Sequence, residues 1–211
     1  MMKKFSIYKP YRFYWTRTYI SYAFIAGVVL LILALKHVVG TPESHPIYSY
    51  LSVALVLPGI YHILLSVLVV NKYRPLKGAL EGHIVFSKDA IEIDKQVYPL
   101  SAIRYVVFEG TDWLGDERSD RGFSNFFENT LSQGVENTLI LHLLNGQVVR
   151  TRFQKLFACE LRDVEDTILH YYLHNKLTYL QTVNALCLGD REEQHKLKEM
   201  KLHQTEANPL L

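Results

Sequence analysis

The hydrophobic pattern divides the chain into two long apolar runs and a later region of alternating residues. Residues 18–35 and 47–70 contain no Lys, Arg, Asp or Glu. At a rise of about 1.5 Å per residue, helices of these lengths would be about 27 and about 36 Å long, enough to cross a hydrocarbon core of about 30 Å. The pattern therefore predicts a transmembrane helical hairpin over residues 18–70, with a kink at Pro58–Gly59.

Basic residues flank this hairpin on the side of both termini. Residues 1–17 contain five basic side chains and no acidic one, and Lys72, Arg74 and Lys77 follow the second run. The connection at residues 36–46 contains a single Lys and a single Glu. The positive-inside rule then predicts a cytoplasmic (inner) membrane protein with two spans and both termini in the cytoplasm. The basic and aromatic N-terminus has the composition of a membrane interface, so the lipid bilayer is the first expected partner.

Two other interpretations of the apolar runs have less support. A signal peptide has an apolar core of about 7 to 15 residues, which is shorter than residues 18–35. A buried helix pair in a soluble protein is disfavoured by two uncharged runs of this length. His62 lies within the second run. It is a proton or ligand site, a hydrogen-bonding partner across the hairpin, or a residue that lies nearer the membrane interface.

After a linker at residues 71–79, apolar and polar residues alternate with the period of β-strands. Five strands are predicted, over residues 83–87, 90–94, 102–109, 135–144 and 147–153. Gln96–Tyr98 is a candidate for a sixth strand. A turn is expected at Lys88–Asp89, and Asn145–Gly146 predicts a tight hairpin with a type I′ turn.

Helical periodicity follows the strands. Residues 156–176 predict an amphipathic helix, because spacings of three and four separate the apolar residues Phe157, Leu161, Val164, Ile168 and Tyr171 or Tyr172. In the helical tail at residues 176–211, a short apolar stripe precedes a charged helix; the stripe comprises Leu177, Leu180, Val183 and Leu186. The charged helix is supported by the Glu192–Lys196 spacing, which favours an ion pair.

The order of these elements resembles bacterial PH-like (pleckstrin-homology-like) domains. The matching stretches are IVFSKDAIEID (84–94), YPLSAIRYV (98–106) and LLNGQVVRTRF (143–153). The chain is similar to small bacterial membrane proteins in which two transmembrane helices precede such a domain. The resemblance covers residues 80–175 and implies a seven-stranded bent barrel with a C-terminal helix.

The predicted fold class is therefore an α+β membrane protein, with a transmembrane helical hairpin and a small antiparallel PH-like barrel capped by an amphipathic helix. Its seventh strand would have to lie in the long loop, near Phe123–Phe127. Many PH domains bind inositol phosphates through a basic loop between their first two strands. The corresponding turn here is SKDA, so we do not carry that ligand over.

The long loop at residues 110–133 is the main candidate site. Its acidic residues lack the spacing of a calcium loop and are mixed with arginines, which disfavours catalysis by Asp112, Asp116, Glu117 and Asp120. Its aromatic and arginine content is typical of an interaction surface. The candidate partner-binding residues are Trp113, Arg118, Arg121, Phe126 and Phe127.

Composition and motifs limit the ligands and reactions that the sequence supports. The net charge of +2 is too small for a nucleic-acid-binding field. Cys159 and Cys187 form no metal motif and are expected to be reduced thiols. No glycine-rich phosphate loop, nucleophile elbow or HExxH motif occurs, so we predict no cofactor, metal or catalytic residue. His170 and His174 have the spacing of two metal ligands, but the pattern supplies no third ligand.

These observations predict a non-enzymatic, membrane-anchored PH-like binding or scaffold module that has protein partners or associates with itself. The alternative is an accessory subunit of a larger cell-envelope secretion or transport complex. In that complex, Ala23, Ala26 and Gly27 would allow another membrane helix to approach closely. An enzyme has the least support.

Overall fold

The computed structural model describes residues 3–68, 72–117 and 128–207, and these ranges form two compact units. The sheet unit comprises residues 1–10, 78–116 and 132–211. The hairpin unit comprises residues 11–77 and 117–131. The long loop is therefore divided between the two units.

The hairpin unit is built from helix α1 (Arg17–His37) and helix α2 (Ile47–Leu68). Thr16 caps the start of α1, because its hydroxyl accepts a hydrogen bond from the backbone N–H of Tyr19 at 3.1 Å. Both helices are long and apolar enough to cross a membrane, and most of their apolar side chains are exposed. This agrees with the predicted positions of the two spans.

The helices meet along a narrow stripe. Thr18, Ser21 and Val28 are the buried residues of α1, and Pro58 is buried within α2. A cavity of about 350 Å³ between the helices is lined by residues of both, Ser21 and Pro58 among them. His62 lies half-buried in α2.

The described residues contain nine strands. They are β1 (Lys4–Pro10), β2 (Gly78–Phe86), β3 (Ala90–Ile93), β4 (Gln96–Pro99), β5 (Ile103–Glu109), β6 (Leu114–Glu117), β7 (Leu131–Gln133), β8 (Asn137–Leu143) and β9 (Val148–Phe153). Seven of them form one sheet in the order β4-β3-β2-β1-β9-β8-β5, and every described pairing in it is antiparallel. β6 and β7 form a separate two-stranded sheet.

The central strand of the sheet comes from the chain before the membrane hairpin. The composition of residues 1–17 predicts only a basic, aromatic terminus, and the predicted seventh strand near Phe123–Phe127 lies outside the described residues. In the structure, β1 supplies the seventh strand and joins β2 to β9. Phe5 and Ile7 face the core and are buried, while Lys4 and Ser6 alternate with them. This two-residue period is the strand signal that the aromatic interface pattern obscured.

The N-terminus is also tied to the sheet unit by charge. The Lys3 ammonium lies 2.7 Å from the buried Glu160 carboxylate and 2.8 Å from Asp163. Burial alone would lower the pKa of Lys3, but the hydrogen bonds with Asp163 and Glu160 raise it above its ordinary value. This basic residue therefore binds the folded domain.

The predicted closed barrel is not found. Within the described ranges the sheet ends at β4 and β5, and these two edges do not pair with each other. The reason is that residues 176–181 occupy the outer side of β5 and accept hydrogen bonds from its backbone. The observed architecture is an open antiparallel sheet covered by helices.

Both predicted hairpin turns occur at the expected positions. Lys88 and Asp89 lie between β2 and β3. The second turn is not type I′, because Gly146 has a φ of +85° whereas Asn145 does not have a positive φ. A four-residue connection, residues 144–147, joins the strands instead, and the Asn145 side chain accepts a hydrogen bond from the Gln147 N–H at 2.9 Å. Only Gly146 then needs the left-handed conformation.

Three helices cover one face of the sheet: α3 (Glu165–Leu173), α4 (Tyr179–Ala185) and α5 (Arg191–Ala207). The predicted stripe is correct at Leu161, Ile168 and Tyr171, which are buried. It is wrong at Phe157, which is 45% exposed, and the separate stripe predicted in the tail is wrong at Leu180, which is 68% exposed. Phe157 precedes the helical turns at residues 160–164, so it lies outside the helical register.

The core is formed between the sheet and these helices. Its most completely buried apolar side chains are Phe5, Ile84, Ile91, Ile103, Leu139, Leu141, Phe153, Ile168, Tyr171, Leu186 and Leu197. Leu197 comes from the charged helix of the tail, so α5 is part of the folded unit. The predicted ion pair between Glu192 and Lys196 is present at 3.2 Å.

The expectation that the two cysteines are reduced thiols is wrong. Cys159 and Cys187 form a disulfide, with their Cα atoms 5.8 Å apart. The bond joins the chain before α3 to the turn after α4. Sequence spacing alone does not predict this pairing, because the helical packing brings the two residues together.

Candidate functional site

The predicted loop residues are only partly within the described chain. Trp113 is described and half-buried, whereas Arg118, Arg121, Phe126 and Phe127 lie outside the described residues. The partner-binding role of these five residues stays a prediction.

The base of the loop is held by buried polar contacts. Asn137 is fully buried, and its amide nitrogen donates to the carbonyls of Asp112 and Gly134, both at 2.9 Å. Gly134 has a φ of +70°, and a Cβ there would collide with the carbonyl of Lys155. The backbone N–H of Leu114 donates to that same carbonyl at 2.9 Å. These contacts fix where the loop leaves and rejoins the sheet.

The described acidic residues of the loop differ in their surroundings. Asp112 is fully buried, and its carboxylate accepts a hydrogen bond from the Glu136 N–H at 2.9 Å. Asp116 and Glu117 belong to β6, and Asp120 lies outside the described residues. Asp112 is therefore a structural residue of the loop base.

The last part of the loop belongs to the hairpin unit. Glu128 accepts a hydrogen bond from the first backbone N–H of α1, that of Arg17, at 2.9 Å. Asn129 accepts from the Arg17 side chain at 3.2 Å and donates to the carbonyl of Tyr73 at 2.7 Å. Arg74 donates to the carbonyl of Asn129 at 2.9 Å. This segment therefore links the start of α1 to the chain after α2.

The strand edges of the main sheet are poorly suited to pairing with a partner strand. β4 has only four residues and ends in Pro99, which has no backbone N–H. At the opposite edge, the N–H groups of Val106 and Phe108 donate to Lys176 and Gln181, at 2.7 and 3.0 Å. Partner recognition by added strands thus has little free backbone to use.

A polar groove on the sheet is the strongest candidate site. It has a volume of about 720 Å³ and is lined mainly by β1 and β9, with Glu109 and Thr138 from neighbouring strands. Such a volume lies within the usual range of ligand pockets, about 300 to 1,000 Å³. Arg150 and Arg152 occupy alternate positions of β9, so their side chains extend from the same face.

The groove is rich in unsatisfied positive charge. Neither Arg150 nor Arg152 makes a side-chain hydrogen bond or ion pair within the described chain. Lys9 lines the groove as well and has a weak, exposed contact with Glu81 at 3.5 Å. Asp94 and Glu109 are the acidic lining residues. Two free guanidinium groups can bind planar anionic groups through paired hydrogen bonds.

The groove depends on β1, a strand that the local sequence pattern does not predict. Tyr8, Lys9 and Pro10 enter its lining from β1. The alternation in VVRTRF predicts a half-exposed strand that carries Arg150 and Arg152. Their proximity to the N-terminal residues requires the non-local β1–β9 pairing.

The histidine pair is close but does not define a metal site. His170 and His174 have ring centres 4.0 Å apart, and among the described residues no group of three or more His, Cys, Asp or Glu could hold a metal ion. Burial lowers the pKa of His170, and the neighbouring His174 lowers it further.

Comparison with protein-family models, curated proteins and solved structures gives no match. The fold and the groove define the class: an α+β chain with two apolar helices long enough for a membrane and an antiparallel sheet that carries a basic groove.

Proposed function

We propose that this protein is a membrane-anchored cytoplasmic PH-like module that binds or scaffolds a partner and has no catalytic activity. The observation that carries the proposal is the pair of unpartnered arginines in the sheet groove. The covered and shortened strand edges favour recognition by side chains over recognition by strand addition. Seven antiparallel strands and a packed C-terminal helix support the PH-like assignment.

The proposed ligand presents acidic groups to the groove. Carboxylate and phosphate groups both match the geometry of a guanidinium. The net charge of +2 argues against nucleic acid as the source of phosphate. An acidic segment of a protein partner, or of a second copy of this chain, is the ligand that we favour.

The test is affinity purification of the full chain from membranes in mild detergent. We expect a partner to co-purify with the wild type and to be lost from the Arg150→Gln/Arg152→Gln variant. Arg104→Gln is the matched control, because Arg104 is also exposed and lies outside the groove. Retention of the partner by the double variant would refute the groove assignment.

The alternative function is an accessory subunit of a larger cell-envelope secretion or transport complex. One observation favours it: Ala23 and Ala26 are exposed, and a Cβ added at Gly27 would meet no atom within 4 Å. Another membrane helix could approach this face closely. Stoichiometric membrane subunits in the same purification, lost in Gly27→Leu but retained in the groove variant, would favour this alternative.

Turnover lost in Asp116→Asn would favour an enzyme.

The cytoplasmic location is tested by cysteine labelling in a Cys159→Ser/Cys187→Ser background. We expect an impermeant reagent to label Ser44→Cys, between the helices, and to miss Ser101→Cys, which is exposed on the sheet unit. The disulfide makes this experiment important, because such bonds persist mainly in oxidising compartments. Labelling of Ser101→Cys in intact cells would reverse the proposed topology.

A further inference from the structure

The disulfide lies at an accessible and conformationally important position. Cys159 and Cys187 are the two cysteines of the sequence, and both are partly exposed. We propose that they form a reversible redox site, which reacts with a dithiol reductant and controls the docking of the turn after α4. This proposal rests on the cytoplasmic location proposed above, where a permanent disulfide is not expected.

Besides the disulfide, the turn is attached by the buried side chains of Leu186 and Leu188 and by side-chain hydrogen bonds to its carbonyls. The Arg162 side chain donates to the carbonyl of Leu186 at 2.7 Å and to that of Cys187 at 3.2 Å. The same guanidinium binds both carboxylate oxygens of Glu193 at 3.1 Å. The disulfide and this arginine therefore hold the turn against the chain before α3. When the covalent link is broken, the turn keeps these arginine contacts and the hydrogen bond that the Gln194 side chain donates to the carbonyl of Leu188 at 2.7 Å.

The backbone at Cys187 indicates that the turn needs to be held. Cys187 has a φ of +49°, in the left-handed region that residues with a side chain adopt rarely. Gly189, two residues later, has open space around it. A cysteine released from the disulfide can leave this conformation, and the glycine allows the neighbouring backbone to follow.

The turn also forms a wall of a pocket. This pocket has a volume of about 590 Å³, and its apolar lining includes Phe108, Phe153, Leu161, Val183 and Leu188, with Cys187 beside them. Opening of the turn would therefore expose Leu188, which is buried in the oxidised form. The redox state of two sulfurs thereby controls access to an apolar surface.

The exchange reaction is balanced by the reductant. One thiolate of the dithiol attacks a sulfur of the Cys159–Cys187 bond and forms a mixed disulfide, and the departing cysteine thiolate takes up a proton. The second thiolate of the reductant then attacks the mixed disulfide and releases the other cysteine, which is also protonated. Two electrons and two protons pass to the protein, and the reductant leaves as its own disulfide.

The first test measures the redox state of the full-length protein in cells. Cells are quenched in acid and treated with a maleimide–polyethylene glycol reagent. We expect two additions per chain in untreated cells, none after a short exposure to diamide, and two again after recovery. The Cys187→Ser variant should accept one addition under all three conditions. Thiols that stay oxidised throughout, or that diamide does not oxidise, would overturn the proposal.

The second test measures opening of the turn by hydrogen exchange in detergent micelles. We expect the amides of residues 184–191 to exchange about tenfold faster after reduction, with β8 and β9 unchanged. Equal exchange of the turn in both redox states would overturn the proposal, as would a uniform increase over the whole sheet unit. The reduced wild type provides this comparison even if a serine variant folds poorly. The labelling of Ser101→Cys tests the cytoplasmic location independently. A wrong location can therefore be distinguished from a wrong redox proposal.

Discussion

Two arginine environments in the sheet unit differ in how their donors are used. Arg162 binds two backbone carbonyls and a carboxylate, so its guanidinium donates its hydrogen bonds within the folded protein. Arg150 and Arg152 are exposed on β9 and have no side-chain partner within the described residues. The difference separates groups that maintain the structure from groups that can bind a ligand. Removal of a polar side chain that has a partner inside the protein should lower stability. Removal of a polar side chain that has no such partner should weaken ligand binding alone.

The largest expected effect on the structural side is loss of the disulfide. Cys159→Ser/Cys187→Ser should lower the free energy of unfolding by about 3 kcal/mol, because the bond closes a long loop in the unfolded chain, 28 residues in sequence separation. Denaturant unfolding of the oxidised wild type and the double variant measures this. Reductant should destabilise the wild type and leave the double variant unchanged. Equal stability of all samples would show that the bond contributes nothing.

A second structural effect should come from the buried amide at the loop base. Asn137→Ala removes the donor to the carbonyls of Asp112 and Gly134 and should cost about 2 kcal/mol. Asn184→Ala, at an exposed position of α4, is the control and should change stability by less than about 0.5 kcal/mol. If both variants unfold at the wild-type denaturant concentration, the loop base is not held by Asn137.

The comparison between the arginines can be tested directly. Arg162→Gln should destabilise the sheet unit by about 1.5 kcal/mol, since charge-assisted hydrogen bonds are lost at a partly exposed site. Arg150→Gln/Arg152→Gln should change stability by less than about 0.5 kcal/mol while it abolishes partner binding. A double variant as unstable as Arg162→Gln would place these arginines among the structural residues.

The smallest expected effect concerns pH. Burial, followed by the charge of His174 and of Lys88, lowers the pKa of His170, while Asp89 opposes this shift. The folded state therefore binds a proton less readily than the unfolded state. Stability is complete above the unfolded pKa of about 6.5 and falls as pH decreases toward the lower folded pKa. His170→Gln should reduce this acid sensitivity, which thermal unfolding at pH 7 and pH 5 measures.

Local sequence signals predicted the elements that depend on neighbouring residues. The two apolar helices, the strands around Lys88–Asp89 and Asn145–Gly146, and the buried stripe at Ile168 and Tyr171 all follow from short-range periodicity. The candidate residues of the long loop stay predictions, since four of the five lie outside the described chain. Trp113 is half-buried at the loop base, and its predicted contact with a partner stays untested.

The strand β1 shows where local reasoning was insufficient. Its seven residues, KFSIYKP, are short and are followed by aromatic residues typical of a membrane interface. Their pairing with β2 spans the whole helical hairpin, and their pairing with β9 spans almost the entire sheet unit. No periodicity within seven residues specifies such distant partners, because the burial that stabilises them exists only after the sheet has assembled.

The sequence by itself determined the two membrane-length helices, the α+β class and the alternation that exposes Arg150 and Arg152. These properties depend on hydrophobicity and on the helical and strand periods, which a single segment carries. Tertiary structure alone decided that β1 completes the sheet, that helical chain covers the edge of β5, that Asp112 is buried and that Cys159 meets Cys187. Each of these depends on contacts between residues far apart in the chain, whose partners become defined only when the core packs.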